Sequence, residues 1–164
     1  MKILTKIICS ILSFSILAFC FTGCSKKVAT PKQITEYNNL DPLYKNLVSS
    51  SITTSDASNK NITFIALDST SMPGLSANGK TSIINSLKSI NSNVLEASFI
   101  TLEEKGMRDT TGSLKGILLY IEKSKIISPS EIDFTLVKYT SKTVQKKYKY
   151  ISTYTNGAWS VKLS

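Results

Sequence analysis

The chain has 164 residues, 41% of them hydrophobic, and carries 20 Lys and Arg against 11 Asp and Glu, a formal net charge of +9. It contains no histidine, which excludes a Ser-His or Cys-His nucleophile pair and removes the commonest neutral metal ligand.

Lys2 and Lys6 form a basic start, and Ile7 to Phe21 is an uncharged apolar stretch of the length of a signal-peptide core. It is shorter than the roughly 20 apolar residues that span a bilayer, and Lys26 and Lys27 soon follow it. Phe21-Thr22-Gly23-Cys24 resembles a lipobox, with Phe21 where Leu is usual. The expectation is therefore a lipoprotein: residues 1–23 as signal peptide, and Cys24 receiving a diacylglyceryl group and becoming the new N-terminus. Two acyl chains hold a protein stably on a membrane. The alternative is an ordinary N-terminal anchor or a signal cut elsewhere. Cys9 and Cys20 leave with the signal, so no internal disulfide is expected, although the compartment would permit one. With neither His nor a free thiol, no metal site and no cofactor are expected.

Beyond the signal the basic excess is seven. Such a surface is attracted to anionic headgroups or an anionic cell-wall polymer. Nucleic acid is not expected as a partner of an exported protein. The plainer reading is a solvated, solubilising face. Nineteen of the 20 basic residues are Lys, Arg108 being the sole Arg, as codon bias in an AT-rich genome would give.

Residues 24–40 read as the acylated cysteine and a polar tether, and residues 41–164 as one domain. Asp41-Pro42 predicts a helix start, Asp41 as N-cap, with Leu43, Tyr44, Leu47 and Val48 on one face. Residues 49–61 read as a loop, and Ile62 to Leu67 as a buried strand. After a turn-rich passage, Thr81 to Ile90 predicts a helix. Val94–Ala97 reads as a short strand, followed by a helix capped by Ser98 and ended by Gly106. From Lys115 the period becomes two. Strands joined at Ser128-Pro129-Ser130 and at Thr155-Asn156-Gly157-Ala158 predict hairpins, the Asn-Gly pair most strongly. On the third of these strands Tyr148, Tyr150 and Tyr154 share one face, and Lys147, Lys149 and Ile151 the other. The tyrosine row could stack on a sugar or peptide, but reads more simply as a packed strand face. The expected class is α+β: a strand and two helices followed by a four-stranded antiparallel meander.

Gly74 to Thr81, GLSANGKT, matches G-x-x-x-x-G-K-[ST] and lies between a predicted strand and a predicted helix. In a P-loop, backbone amides of the Gly74–Gly79 stretch would wrap phosphates, Lys80 would reach the terminal ones, and Thr81 would bind magnesium. Residues 69–73 intervene after the strand, however, and the second half is hairpins rather than repeated strand–helix units. The exported face of a membrane also holds little nucleoside triphosphate. The match reads as a Gly/Asn-rich loop. Glu103 and Glu104 are adjacent on a helix and cannot flank a scissile bond. Asp68 and Thr70 begin a calcium-loop spacing that Met72 and Pro73 break.

Several runs carry a resemblance: Leu67-Asp68 with Ser71-Met72-Pro73-Gly74, Val94 to Phe99, Leu102 to Gly106, Leu114 to Leu119, Ile121 to Lys123, and Asn156 to Trp159. The last three-fifths of the chain thereby resembles exported modules of small Gram-positive lipoproteins and of membrane sensors similar to the beta-lactam-sensing zinc peptidases. The zinc motif of those peptidases has no counterpart here, and after Lys138-Tyr139 the pattern's Gly-rich stretch is replaced by SKTVQKKYK. The resemblance implies a sensory or accessory module without catalysis. The expectation from the chain as a whole is a non-enzymatic binding or regulatory module on the outer face of the cell membrane. Its partner would be a membrane protein or an anionic wall polymer. The alternatives are an exported enzyme acting on cell-wall material through carboxylates such as Asp68 or Glu122, and, remotely, a nucleotide binder.

Overall fold

Apolar residues at helical spacing in the first half and at alternate positions in the second meet on one mixed sheet. The computed structural model describes residues 33–52 and 62–164. The signal segment, Cys24 and the first part of the predicted tether lie outside the described residues, as do residues 53–61 of the predicted loop. In chain order the elements are a 3-10 turn at Ile34–Glu36, α1 (Leu40–Ser51), β1 (Ile65–Leu67), a 3-10 turn at Ser69–Ser71, α2 (Ala77–Leu87), β2 (Val94–Glu96) and α3 (Phe99–Glu104). Four strands complete the chain: β3 (Ile117–Ser128), β4 (Glu131–Tyr139), β5 (Gln145–Thr155) and β6 (Ala158–Leu163). No helix among the described residues is long and apolar enough to cross a membrane.

The class is α+β, but the expected arrangement is corrected. The three helices and two short strands come in the chain order their local signals gave, but in place of a strand and two helices ahead of a separate four-stranded meander, the antiparallel strands form no sheet of their own. The sheet has six strands in the order β2-β1-β3-β4-β5-β6. β1 runs parallel to both β2 and β3, and the remaining pairs are antiparallel. β1 is buried at every position, as a strand covered on both faces must be. Asn156 and Gly157 turn the last hairpin with φ of 52° and 82°, the left-handed pair that matches strand twist.

Helices α1 and α2 cover one face. Leu43, Tyr44, Leu47 and Val48 of α1 and Ile83 and Leu87 of α2 pack on Ile65, Leu67, Ile117, Leu119, Phe134 and Leu136. Tyr148, Tyr150 and Tyr154 belong to this packed face. On the opposite face Leu102 of α3 and Leu114 cover Phe64, Ala66, Leu118, Val137 and Tyr139. At six residues α3 reaches across to Tyr120 of β3 and Tyr139 of β4 through Phe99 but no further along those strands, where Lys123, Lys125 and Lys149 are exposed. The outer part, on β3 to β6, is open.

Three local expectations are also corrected. The first helix begins at Leu40 with Asn39 at its N-cap in left-handed conformation (φ 58°), so Asp41 is not the cap. The second begins at Ala77, four residues early, because Ser76 caps it by accepting from the Gly79 amide. Residues 33–40 of the predicted tether are packed: Tyr37 and Leu40 are buried, the Tyr37 hydroxyl donates to the Ser128 carbonyl (3.0 Å), and Trp159 Nε1 donates to the Asn38 carbonyl (2.9 Å). The Tyr37 and Trp159 rings pack 5.8 Å apart beside these part-buried bonds.

Candidate functional site

The GLSANGKT segment folds into the turn after β1 and the first turn of α2. Gly74 has φ of 80°, which a β-carbon would disfavour. The anion position at the start of α2 is filled from within the chain. The Asp41 carboxylate, carried across from α1, accepts from both the Ser76 amide (2.9 Å) and the Ser76 hydroxyl. Gly79 lets it approach: a β-carbon there would collide with that carboxylate. Positive amide dipoles at a helix start favour an anion, and here the anion is a side chain. Lys80 points elsewhere, donating to Glu96 Oε1 at 2.9 Å, and the Thr81 hydroxyl donates to the Ala77 carbonyl of its own helix. The four motif residues are thus close in the chain but do not converge on a phosphate-sized space.

The carboxyl ends of β1 and β2 gather Asp68, Ser69 and Glu96, the place where α/β sheets hold ligands. Glu96 accepts from the Ser69 hydroxyl and from Lys80. The Ser69 hydrogen bond, then the Lys80 bond and charge, hold its carboxyl below the usual glutamate range despite some burial. Asp68 accepts from the Thr70 amide and hydroxyl, and the Ser71 hydroxyl, donating to the Asp68 carbonyl, accepts from the Ile121 amide. These bonds tie the turn to β3. Glu122 accepts from Lys147, so Asp68 and Glu122 are each engaged separately and are not brought together as a carboxylate pair. Among the described residues no cluster of three metal-ligating side chains occurs.

A cavity of about 480 Å³ lies beside Phe64, Met107 and Leu114. Its carboxylate, Asp109, is held by the Thr111 hydroxyl and amide and by the Ser113 amide, which keep its carboxyl low and commit it to its own loop.

The open sheet face differs. Cross-strand partners share a face, and the register sets Lys123, Thr135 and Lys149 in one row and Lys125, Asp133, Ile151 and Lys162 in the next. Lys147, one step further along β5, is the lysine paired with Glu122. Lys123, Lys125, Lys149 and Lys162 are exposed and enter no ion pair among the described residues. Lys123, Lys125, Asp133, Thr135, Lys149 and Ile151 of these rows, with Phe134, Tyr150 and Ser164, line a trough of about 270 Å³.

A β-bulge makes this face. The pairing shifts between Ile121 and Lys123, so Ile121 opposes core-facing Leu136 while Lys123 opposes Thr135 on the open side. In regular alternation Lys123 and Lys125 would continue the core row of Ile117, Leu119 and Ile121. Sequence reasoning found Lys147, Lys149 and Ile151 but missed Lys123, Lys125, Asp133 and Lys162. The available signal was Lys at alternate positions in both KSK and KYK.

Comparison with protein-family models, curated proteins and solved structures finds no match.

Proposed function

We propose that the chain is a lipoprotein, acylated at Cys24 and held on the outer face of the membrane, whose domain is a non-enzymatic module that binds an anionic component of the envelope. The observation that carries the binding reading is the open sheet face, where four lysines enter no ion pair among the described residues, Lys125 standing opposite the one carboxylate, Asp133. Lysines kept only for solubility scatter over a surface; these share two adjacent rows of one rigid sheet. The lipobox residues support export.

Metabolic labelling with a fatty acid tests the anchor. Wild type is expected to be labelled and to fractionate with the membrane, and Cys24→Ala to be unlabelled. A soluble, unlabelled wild type overturns it. Retention on isolated cell envelopes tests the binding face: combined Lys123→Glu, Lys125→Glu and Lys149→Glu should abolish it, and undiminished retention sinks the idea.

A second reading, an exported carboxylate-dependent enzyme, draws on Glu96, kept ionised beside Ser69 and Lys80 at the strand ends. It requires that Glu96→Gln or Asp68→Asn stop turnover of wall material. The nucleotide reading requires ATP binding lost in Lys80→Ala, and has against it the Asp41 carboxylate at the helix start.

A further inference from the structure

The trough has a shape and a charge spacing, and both restrict what could lie in it. Along a strand, alternate residues on one face are about 6.8 Å apart, and β3 and β5, two strand spacings apart, are separated by about 9.6 Å. Lys123 and Lys125 therefore form one rail and Lys149 stands on the other, with Thr135 and Asp133 of β4 on the floor between them. Lys162 of β6 continues the second row outward. A flat bilayer surface meets the rims of such a trough, whereas an extended chain can enter it.

The floor is also selective. Thr135 offers a neutral hydroxyl, and Asp133 places one negative charge between Lys125 and Ile151. A densely charged ligand would be repelled there; one whose charges are separated by polar, uncharged links would not. Phe134 and Tyr150 also border the trough, but both are 2% exposed with their rings in the core, and Tyr120, one row beyond on this face, packs against Phe99, so among the described residues no ring stands on the lysine rows themselves. Binding of single-stranded nucleic acid without sequence preference relies on rings that stack on bases. A ring-free ligand loses nothing by their absence.

Building on the reading of this face as an anion-binding surface, we infer that the trough between β3 and β5 binds a linear, ring-free phosphodiester polymer of the polyol phosphate type. The polymer lies along the strands, with successive phosphates against Lys123, Lys125 and Lys149 and its neutral hydroxyls over Thr135 and Asp133. Lys162 is available to a phosphate at the outer edge. Each contact is an ammonium–phosphate hydrogen bond at an exposed site, so affinity comes from several at once and falls with salt.

The test uses the full chain in nonionic detergent micelles, titrated calorimetrically with short soluble poly(glycerol phosphate). Parallel titrations use monomeric glycerol phosphate, oligo-deoxythymidine of equal charge, and phosphatidylglycerol in mixed micelles. Expected are binding of the polymer but not of the monomer, and a logarithmic salt slope of about −3 for four charges neutralised. Lys123→Glu with Lys149→Glu should weaken binding about tenfold or more, while the same positions changed to Arg should retain it. Asp133→Asn should strengthen it by a few-fold, an effect that loss of folding cannot mimic. Polymer binding indifferent to the Glu pair overturns the inference, and so does oligo-deoxythymidine binding as tightly as the polymer. If phosphatidylglycerol binds through the same lysines and the polymer does not, the trough assignment falls while the anion-binding face stands. If no anionic probe binds, both fall.

Discussion

In the part of the molecule built on β1, β2, α2 and α3, residues 62–116 carry five basic and five acidic side chains, and bonds within the chain engage most of the acids. Glu96 is held by Ser69 and Lys80, Glu103 pairs with Arg108, and Asp68 and Asp109 close their own turns. In the hairpins of β3 to β6, residues 117–163 carry eight lysines against Glu122, Glu131 and Asp133, and four of those lysines stand on one open face without an ion pair among the described residues. Charges with partners at hand fix turns and helix ends. Charges left unpaired on a rigid surface are available to something outside the chain. The motif that looks most chemical in the sequence lies in the first region, and the residues most free to act lie in the second.

The strongest way to break this comparison is to ask whether the regions are one folding unit. Phe134 of β4 meets Tyr44 of α1 edge to face at 6.0 Å, inside the shared core. Phe134→Ala should cost about 3–5 kcal/mol. Loss of near-ultraviolet dichroism and protection of β1 amides should move together in denaturant; separate transitions would mean that the halves fold independently.

A smaller effect is expected at the internal anion. Asp41→Ala removes both bonds to Ser76 and should destabilise by about 1–2 kcal/mol in urea unfolding. An unchanged midpoint would show that the carboxylate does not hold the start of α2. The charge changes Lys123→Glu and Lys149→Glu, by contrast, should shift stability by about 0.5 kcal/mol or less while altering retention on anionic envelopes. A large loss of stability would place these lysines among the structural charges after all.

The least effect is a pH dependence. Because the folded state holds Glu96 below its ordinary value, its contribution is present at neutral pH and is lost as pH falls through the folded value, below the usual glutamate range. Lys80→Met should shrink this contribution and raise the pH at which its loss is complete, as read from the acid limb of a stability–pH curve. An unmoved limb would show that Ser69 alone sets the shift.

Much of the fold was legible because neighbouring residues decide it. Ser98 caps α3 by accepting from the Thr101 amide, Gly106 takes a left-handed conformation (φ 64°), and the Asn156-Gly157 turn joins β5 to β6. The alternation of tyrosine and lysine on β5 also placed its two faces. Asp41 was misread because a carboxylate ahead of a proline looks like a local cap, whereas its partner, Ser76, lies 35 residues away.

The sequence by itself determined the signal-like start with Cys24, the basic balance, the absence of histidine and the hairpin turns, all properties of composition or of residues close in the chain. Only the tertiary structure decided that β1 lies parallel to β3, which merges the meander into a six-stranded sheet, and that Asp41 occupies the start of α2. It also decided the facing of Lys123 and Lys125. One extra residue at a bulge exchanges the two sides of a strand, and pairing with β4 locates that bulge between Ile121 and Lys123.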